Sequence, residues 1–499
     1  MQDRLLNDTL QTLLPWLQHA WPHLTAALSL LVNLLATAHV VLHKRDVRAA
    51  LGFVGLIWFA PILGAVFYLL FGVNRIRRRG AALPFSDLAL SSPADTFALP
   101  PGALERSPSR PSGDLPASVR RLSDLVDRVT HRRLTLGNAV EPLLNGDEAY
   151  PRMLEAIETA ERSIGLATYI FDNDAVGRRF AEALAAVTRR GVQVRVLVDA
   201  VGARYSFPSI FRVLARDHVP AARFLPTTLP WRMPYMNLRL HRKLLVVDGR
   251  TAFTGGMNIR AGHLLGSAPR HPTQDLHFRL TGPIVGQLAE TFAEDWLFAT
   301  GEVLRGPIWF PALDAQGPVL ARAIRDGPDH DFEQLKWTLL GAIACAERHV
   351  RILTPYFIPD EALITTLNTA AMRGVSVEIL LPSRNNLKLV QWASMATLWQ
   401  VLRHGVKVWL TPPPFDHSKL LLIDGSWVLL GSANLDPRSL RLNFELNVEC
   451  YDQNFAARLT AITDAKMREA RRVTLSDVDS RPLAIRLRDG LARLLSPYL

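Results

Sequence analysis

A nine-residue segment, His241-Arg242-Lys243-Leu244-Leu245-Val246-Val247-Asp248-Gly249, returns later as His417-Ser418-Lys419-Leu420-Leu421-Leu422-Ile423-Asp424-Gly425. Gly255 and Gly431 follow at the same offset from their histidines, as do Asn258 and Asn434. Upstream, Arg190-Gly191-Val192-Gln193-Val194 matches Arg373-Gly374-Val375-Ser376-Val377. Glu161-Arg162 leads into Thr168-Tyr169-Ile170-Phe171, and Glu347-Arg348 into Thr354-Pro355-Tyr356-Phe357. Two copies suit a pseudo-symmetric pair of units, because a solenoid needs three or more. Helical patterns over 154–162, 178–190 and 363–373 alternate with apolar runs over 165–171, 192–199 and 375–381. That alternation predicts an α/β fold in which a buried, largely parallel sheet is covered by helices.

If 240–247 is a strand, His241 and Lys243 share a face about 7 Å apart. Asp248 falls at odd spacing, which argues for a turn-fixing role for it and for Asp424. A His and a Lys on one face, present twice, set a nucleophile or base beside a fixed positive charge. Asn258 and Asn434 follow Gly-rich turns and add amide donors. Two His, two Lys and two Asn make a site suited to a phosphoryl group, with Lys and Asn stabilising a phosphorane. One His attacks phosphorus while the other moves the proton. A nucleophilic His needs a carboxylate on its other ring nitrogen. Asp275, after the first motif, and Glu445, after the second, are the candidates. A Lys two residues after each His repels cations, so no metal and no other cofactor is expected. His263, His277 and His349 read as ordinary core or surface residues. Neither a P-loop nor a serine-hydrolase motif is present.

The 499 residues carry 57 Lys+Arg against 46 Asp+Glu, a net charge of +11, which points to nucleic acid or anionic lipid. Two cysteines exclude a disulfide framework. No charged residue occurs over 24–42 or over 49–74, and each run is long enough to cross a bilayer as a helix. The reading is a transmembrane hairpin over 1–79, with spans at about 24–42 and 51–71. A basic n-region is missing, which argues against a cleaved signal peptide. Arg75, Arg77, Arg78 and Arg79 favour a cytoplasmic body, although Lys44, Arg45 and Arg48 in the turn pull the other way. A Pro/Ser-rich linker follows over 80–118, then a first catalytic half over 119–325 and a second over 326–499. The hairpin holds the site near lipid, so no nucleic acid partner is expected. Lys466–Arg493 interleaves arginines with Leu and Ile, a candidate basic amphipathic surface for anionic headgroups.

His241-x-Lys243-x4-Asp248 and His417-x-Lys419-x4-Asp424 resemble the HKD motifs of the phospholipase D superfamily. Pro61-Ile62-Leu63-Gly64, Tyr68–Gly72, Thr354–Asp360, Gly431–Ser439 and Asn443-Phe444-Glu445 extend the similarity to bacterial cardiolipin synthases over nearly the whole chain. The resemblance implies two pseudo-symmetric phospholipase D-like α/β/α halves behind the membrane hairpin. It implies a catalytic set of His241, Lys243, Asp248, His417, Lys419 and Asp424, with phosphate held by Asn258 and Asn434. By analogy His241 attacks and His417 is the acid/base. The implied reaction is phosphatidyl transfer between two phosphatidylglycerols through a phosphohistidine, giving cardiolipin and glycerol. Phosphatidylglycerol and other anionic phospholipids are the implied partners. The implied location is the bacterial cytoplasmic (inner) membrane, multi-pass, with a cytoplasmic body. A hydrolase or a nuclease of the superfamily shares the same intermediate, and intact motifs count against an inert lipid-binding scaffold.

Overall fold

The computed structural model describes residues 2–44, 47–72, 117–226, 238–328 and 331–496. They fall into an N-terminal unit and a larger body.

In the N-terminal unit, one helix runs over Gln2–His43, and its Ala20–His43 portion, 24 residues, is long and apolar enough to cross a membrane. Its Leu24, Leu28, Leu31, Leu35 and Leu42 are exposed, as a lipid-facing surface requires. The second expected span is not one helix. Val47–Phe59 covers 13 residues, the chain turns at Pro61 with Ile62 at φ 68°, and a short helix resumes at Leu63–Phe67. Proline lacks the N–H a continuing helix needs and its ring clashes with the preceding turn. The described residues therefore hold one helix of spanning length, and a multi-pass arrangement is not supported. The shorter pieces fold back on the long helix: Val40, Phe53, Ile57 and Tyr68 share a small core. Trp58 Nε1 donates to Thr37 Oγ1 at 3.1 Å. Arg75, Arg77, Arg78 and Arg79 lie outside the described residues, as does the expected linker up to residue 116. Its last two positions, Ala117 and Ser118, open a helix over Ala117–Thr130.

In the body, sixteen strands among the described residues form one sheet running through both halves. The expectation of a largely parallel sheet is corrected. Within each half the parallel pairs lie toward the outer end of the sheet, as with Ser163–Thr168 and Gln193–Asp199 in the first half and His349–Leu353 and Ser376–Pro382 in the second. The inner ladder is antiparallel because each motif closes a hairpin. Leu244–Val247 pairs with Thr251–Gly255, and Leu420–Ile423 with Trp427–Gly431. Asp248 and Gly249 sit at φ 53° and 63°, Asp424 and Gly425 at 51° and 66°. Two positive φ values in succession make the tight turn that Asp-Gly favours between antiparallel strands. At the centre, Thr135–Leu144 meets Val319–Asp326, which pairs with Asn443–Tyr451.

Alternation along the buried strands builds a layer on each face. Ile164 and Leu166 enter the core roofed by Asn145–Glu158 and Ala175–Arg189. Gly165, between them, meets Phe292 of Ile284–Thr300 on the other face, where a Cβ would come within 2.5 Å of the ring. In the second half Val350 and Ile352 are in the core, while Arg351 between them bonds Thr463 and Asp464 of Gln453–Glu469. Helix Ala117–Thr130, although it precedes the first half, packs Val119, Leu122 and Val126 into the second half's core.

Candidate active site

The chain just before each motif forms a two-residue strand that pairs with the opposite half. Arg239–Leu240 lies parallel to Asn443–Phe444, and Phe415–Asp416 parallel to Thr273–Gln274. The His241 N–H donates to the Phe444 carbonyl at 2.9 Å, and the His417 N–H to the Gln274 carbonyl at 2.8 Å. The next residue on each partner strand is a carboxylate, so each histidine meets the acid of the other half. His241 Nδ1 is 2.9 Å from both oxygens of Glu445. His417 Nδ1 is 2.9 Å from Asp275 Oδ2. Because 239–240 pairs across halves while 244–247 pairs within its own, the single strand expected over 240–247 is interrupted at 241–243.

Both lysines are buried, and each donates to the carbonyl of its own histidine: Lys243 Nζ to His241 O at 2.7 Å, and Lys419 Nζ to His417 O. Burial lowers the pKa of Lys243 well below its ordinary value and that of Lys419 to about 8. Burial also lowers His241 to about 4, against the opposing pull of Glu445, and His417 well below the usual imidazole value. Both imidazoles are therefore neutral at pH 7. A neutral ring with its Nδ1–H on a carboxylate leaves the Nε2 lone pair free. Burial lifts Asp275. It also acts to lift Glu445, but His241, Lys243 and Ser432 hold that carboxyl below its ordinary value.

The pseudo-symmetry is broken around the two carboxylates. Ser432 Oγ donates to Glu445 Oε2 at 2.5 Å, and Asn443 Nδ2 to Glu445 Oε1 at 3.1 Å. The place of Ser432 in the first half is taken by Gly256, where a Cβ would lie 2.2 Å from Asp275 Oδ1. Asn258 and Asn434 are buried beside the motifs. Asn258 Oδ1 accepts the Ile170 N–H at 3.1 Å, while Asn434 Oδ1 has no hydrogen-bond partner among the described residues. The structure places Asp248 and Asp424 in the hairpin turns. Asp248 accepts the N–H groups of Glu161, Arg162 and Ser163 at 3.0, 2.7 and 2.9 Å. Asp424 repeats this with Glu347, Arg348 and His349 at 2.8, 2.8 and 2.7 Å.

Sequence reasoning missed several neighbours. Tyr169 meets the His241 ring edge-on, with centroids 5.4 Å apart, and Tyr356 meets His417 at 6.2 Å. Both tyrosines lay in the repeated segments, where strand periodicity alone said nothing of their partners. Arg242 donates to the Glu445 carbonyl at 3.0 Å and to Asp295 Oδ1 at 2.7 Å. Lys466 bridges Asp416 Oδ2 at 2.5 Å and Gln274 Oε1 at 3.0 Å. Each cation thus pairs with an acid of its own half and also bonds a neutral oxygen of the other, which no matching letters reveal. His263 and His277 are buried, whereas His349 is half-buried against Glu378 at 2.9 Å.

The sequence matches the family described as "Cardiolipin synthase, PLD-like domain" over residues 153–296 and 339–467. Residues 31–72 match a segment described as the phospholipase D–nuclease N-terminal region. The chain is 32% identical over 471 residues to the major cardiolipin synthase ClsA of Bacillus subtilis (strain 168), covering 93% of this chain and 97% of that one. It is 32% identical over 482 residues to cardiolipin synthase A of Pseudomonas fluorescens, covering 96% and 99%. Among solved structures, the phosphatidylserine synthase of Haemophilus influenzae Rd KW20 shares the fold at a TM-score of 0.59 and 16% identity, covering 76% of this chain and 100% of that one. The chain belongs to the bacterial cardiolipin synthases of the phospholipase D superfamily, and it is a phosphatidyltransferase.

Proposed function

We propose that the chain joins two phosphatidylglycerol molecules into cardiolipin and releases glycerol through a phosphohistidine. The observation that carries this is the crossed pair of neutral, carboxylate-anchored imidazoles, His241 on Glu445 and His417 on Asp275, between two buried lysines. When a phosphodiester anion enters, its charge raises the pKa of the adjacent imidazoles, so one acquires a proton. The other attacks phosphorus, an N–P bond forms, and the P–O bond to glycerol breaks. The protonated imidazole gives its proton to the departing oxygen. It then takes the proton from the hydroxyl of the second lipid, which attacks phosphorus and breaks the N–P bond. Lys243, Lys419, Asn258 and Asn434 hold the phosphoryl oxygens where negative charge grows. Asp248 and Asp424 act from the turns, holding the motif against the strand beside it.

The substrate lies in a bilayer, and the body has a surface suited to one. Leu483–Leu494 is a helix whose Leu483, Leu487, Leu491 and Leu494 are exposed, while Asp489 and Ala492 are buried. Those leucines fall within about 80° of arc at 100° per residue, the pattern of a helix lying in a membrane interface.

The test uses the purified full-length chain with phosphatidylglycerol in detergent. Cardiolipin and glycerol should appear in equal amounts, and His241→Ala, His417→Ala and Glu445→Gln should each lower the rate by on the order of 10²-fold or more. Phosphatidic acid as the sole lipid product would assign a hydrolase instead.

A further inference from the structure

One loop on the His241 side is tied to the site and yet turns a large apolar side chain into water. It follows strand Gln193–Asp199 and covers 201–212. Asp199 Oδ1 accepts the N–H groups of Val201 and Gly202, and Asp199 Oδ2 accepts that of Leu240, the residue before His241, each at 2.9 Å. Gly202 passes so close to Tyr169 that a Cβ would lie 1.7 Å from its carbonyl oxygen. The Tyr205 ring then stands 6.1 Å from the Tyr169 ring, which meets His241 edge-on and lies 5.6 Å from Lys243 Nζ. Tyr205 also acts electrostatically on Tyr356, the ring against His417. The loop therefore reaches the aromatic neighbours of both histidines.

Phe207, two residues on, is 93% exposed, and Tyr205 is 59% exposed. Bonds on either side of Phe207 keep it from folding back: the Asn173 N–H donates to Ser206 Oγ and Asn173 Nδ2 to the Pro208 carbonyl, both at 2.9 Å. A lone exposed apolar side chain is common on any protein. Here two exposed rings are pinned one contact away from the tyrosine on His241. The charge around them has one sign. Residues 201–216 contain Arg204, Arg212 and Arg216 and neither Asp nor Glu. Arg216 is taken up by Asp217 at 2.9 Å, while Arg204 and Arg212 are exposed on either side of Phe207, and the Arg212 guanidinium lies 5.9 Å from its ring. Aromatic rings edged by guanidiniums suit the boundary between acyl chains and anionic headgroups. A helix of spanning length in the same chain, Ala20–His43, favours a bilayer over a protein as the occupant of this surface.

We propose that loop 201–212 is a lip of the active site that enters an anionic bilayer, with Phe207 among the acyl chains and Arg204 and Arg212 on the headgroup phosphates. This rests on phosphatidylglycerol being the substrate, but not on what becomes of the phosphohistidine. The lip brings the histidines to the depth of the phosphodiester, so a lipid is reached without leaving its leaflet. The pinned backbone suits that task, because a loop already ordered in water loses little conformational freedom on entering the membrane.

The test reads the depth of the loop directly. The full-length chain with Cys345→Ser and Phe207→Cys carries a nitroxide at 207 and is placed in vesicles of phosphatidylglycerol and phosphatidylcholine. The label should be open to collision with oxygen and shielded from an aqueous nickel chelate. A label open to the chelate, or one closed to both reagents as in a protein interior, overturns the lip. In vesicles of phosphatidylcholine alone the shielding should weaken, and equal shielding in both overturns the role given to the arginines. Phe207→Ser, without a label, should lower the ratio of turnover on vesicles to turnover of monomeric short-chain phosphatidylglycerol at least roughly tenfold. An unchanged ratio, or loss of both activities, overturns the lip as well. The nitroxide reads position and not product. A chain that made only phosphatidic acid would therefore overturn the transferase reading while a shielded label still supported the lip.

Discussion

Lys419 carries a charge that a modest rise in pH removes. Burial brings its pKa to about 8, against the usual 10.5, so its ammonium persists at pH 7 and is discharged as pH rises through that value. The ammonium stabilises negative charge growing on the phosphoryl oxygens, so kcat/KM should fall on the alkaline side near pH 8. The kcat profile should fall at higher pH, because a bound diester anion favours the charged lysine. Lys419→Arg, with a guanidinium that does not titrate in this range, should remove the limb even if its rate is lower. A wild-type kcat/KM profile that is flat through this region would show that the lysine keeps its proton. At this scale the sequence was highly legible: His241, Lys243, His417 and Lys419 come from matching offsets alone. Which carboxylate serves which histidine was not, because a spacing within one half cannot report hydrogen bonding to the other.

At the scale of elements, the motif aspartates act as clamps between segments. Asp424 is buried and ties a hairpin turn to three successive backbone N–H groups at the start of strand His349–Leu353. Removing the carboxylate strands those donors, which costs about 1–3 kcal/mol. Asp424→Ala should therefore melt measurably below wild type while still forming the phosphohistidine at temperatures where it is folded. Complete loss of the intermediate in a folded variant would place the carboxylate in the chemistry instead. The odd spacing from the histidine had pointed to the turn, and the Asp-Gly pair carries that signal locally. The mixed sheet was less legible, because apolar runs of four or five residues read alike whether their neighbours are parallel or antiparallel. The break at Pro61 is visible as a letter in the sequence. An uncharged run suggests a span by length alone, so the turn there overrides what hydropathy implied.

At the scale of the whole molecule, the net charge of +11 left lipid and nucleic acid equally open, and the cardiolipin synthase relatives point to phospholipid. The arginines of the C-terminal stretch are not all equivalent. Arg481 and Arg488 are spent on the buried Asp489, at 2.6 and 2.7 Å, and Arg488 also lies 4.5 Å above the Trp392 ring. Those contacts fasten one face of Leu483–Leu494 to the body and leave the leucine face outward, with exposed Arg486 and Arg493 beside it. An apolar face edged by cations suits an anionic bilayer surface. Burying one leucine side chain is worth about 1.5–3 kcal/mol. Replacing two, Leu487→Glu with Leu491→Glu, should then lower turnover of phosphatidylglycerol presented in vesicles by at least roughly tenfold. Turnover of a short-chain phosphatidylglycerol dissolved as monomers should stay at the wild-type rate, since both substituted side chains lie on the exposed face of the helix. Equal losses on both substrates would mean that the helix supports the fold of the body, and no loss on vesicles would mean that this face does not meet the membrane.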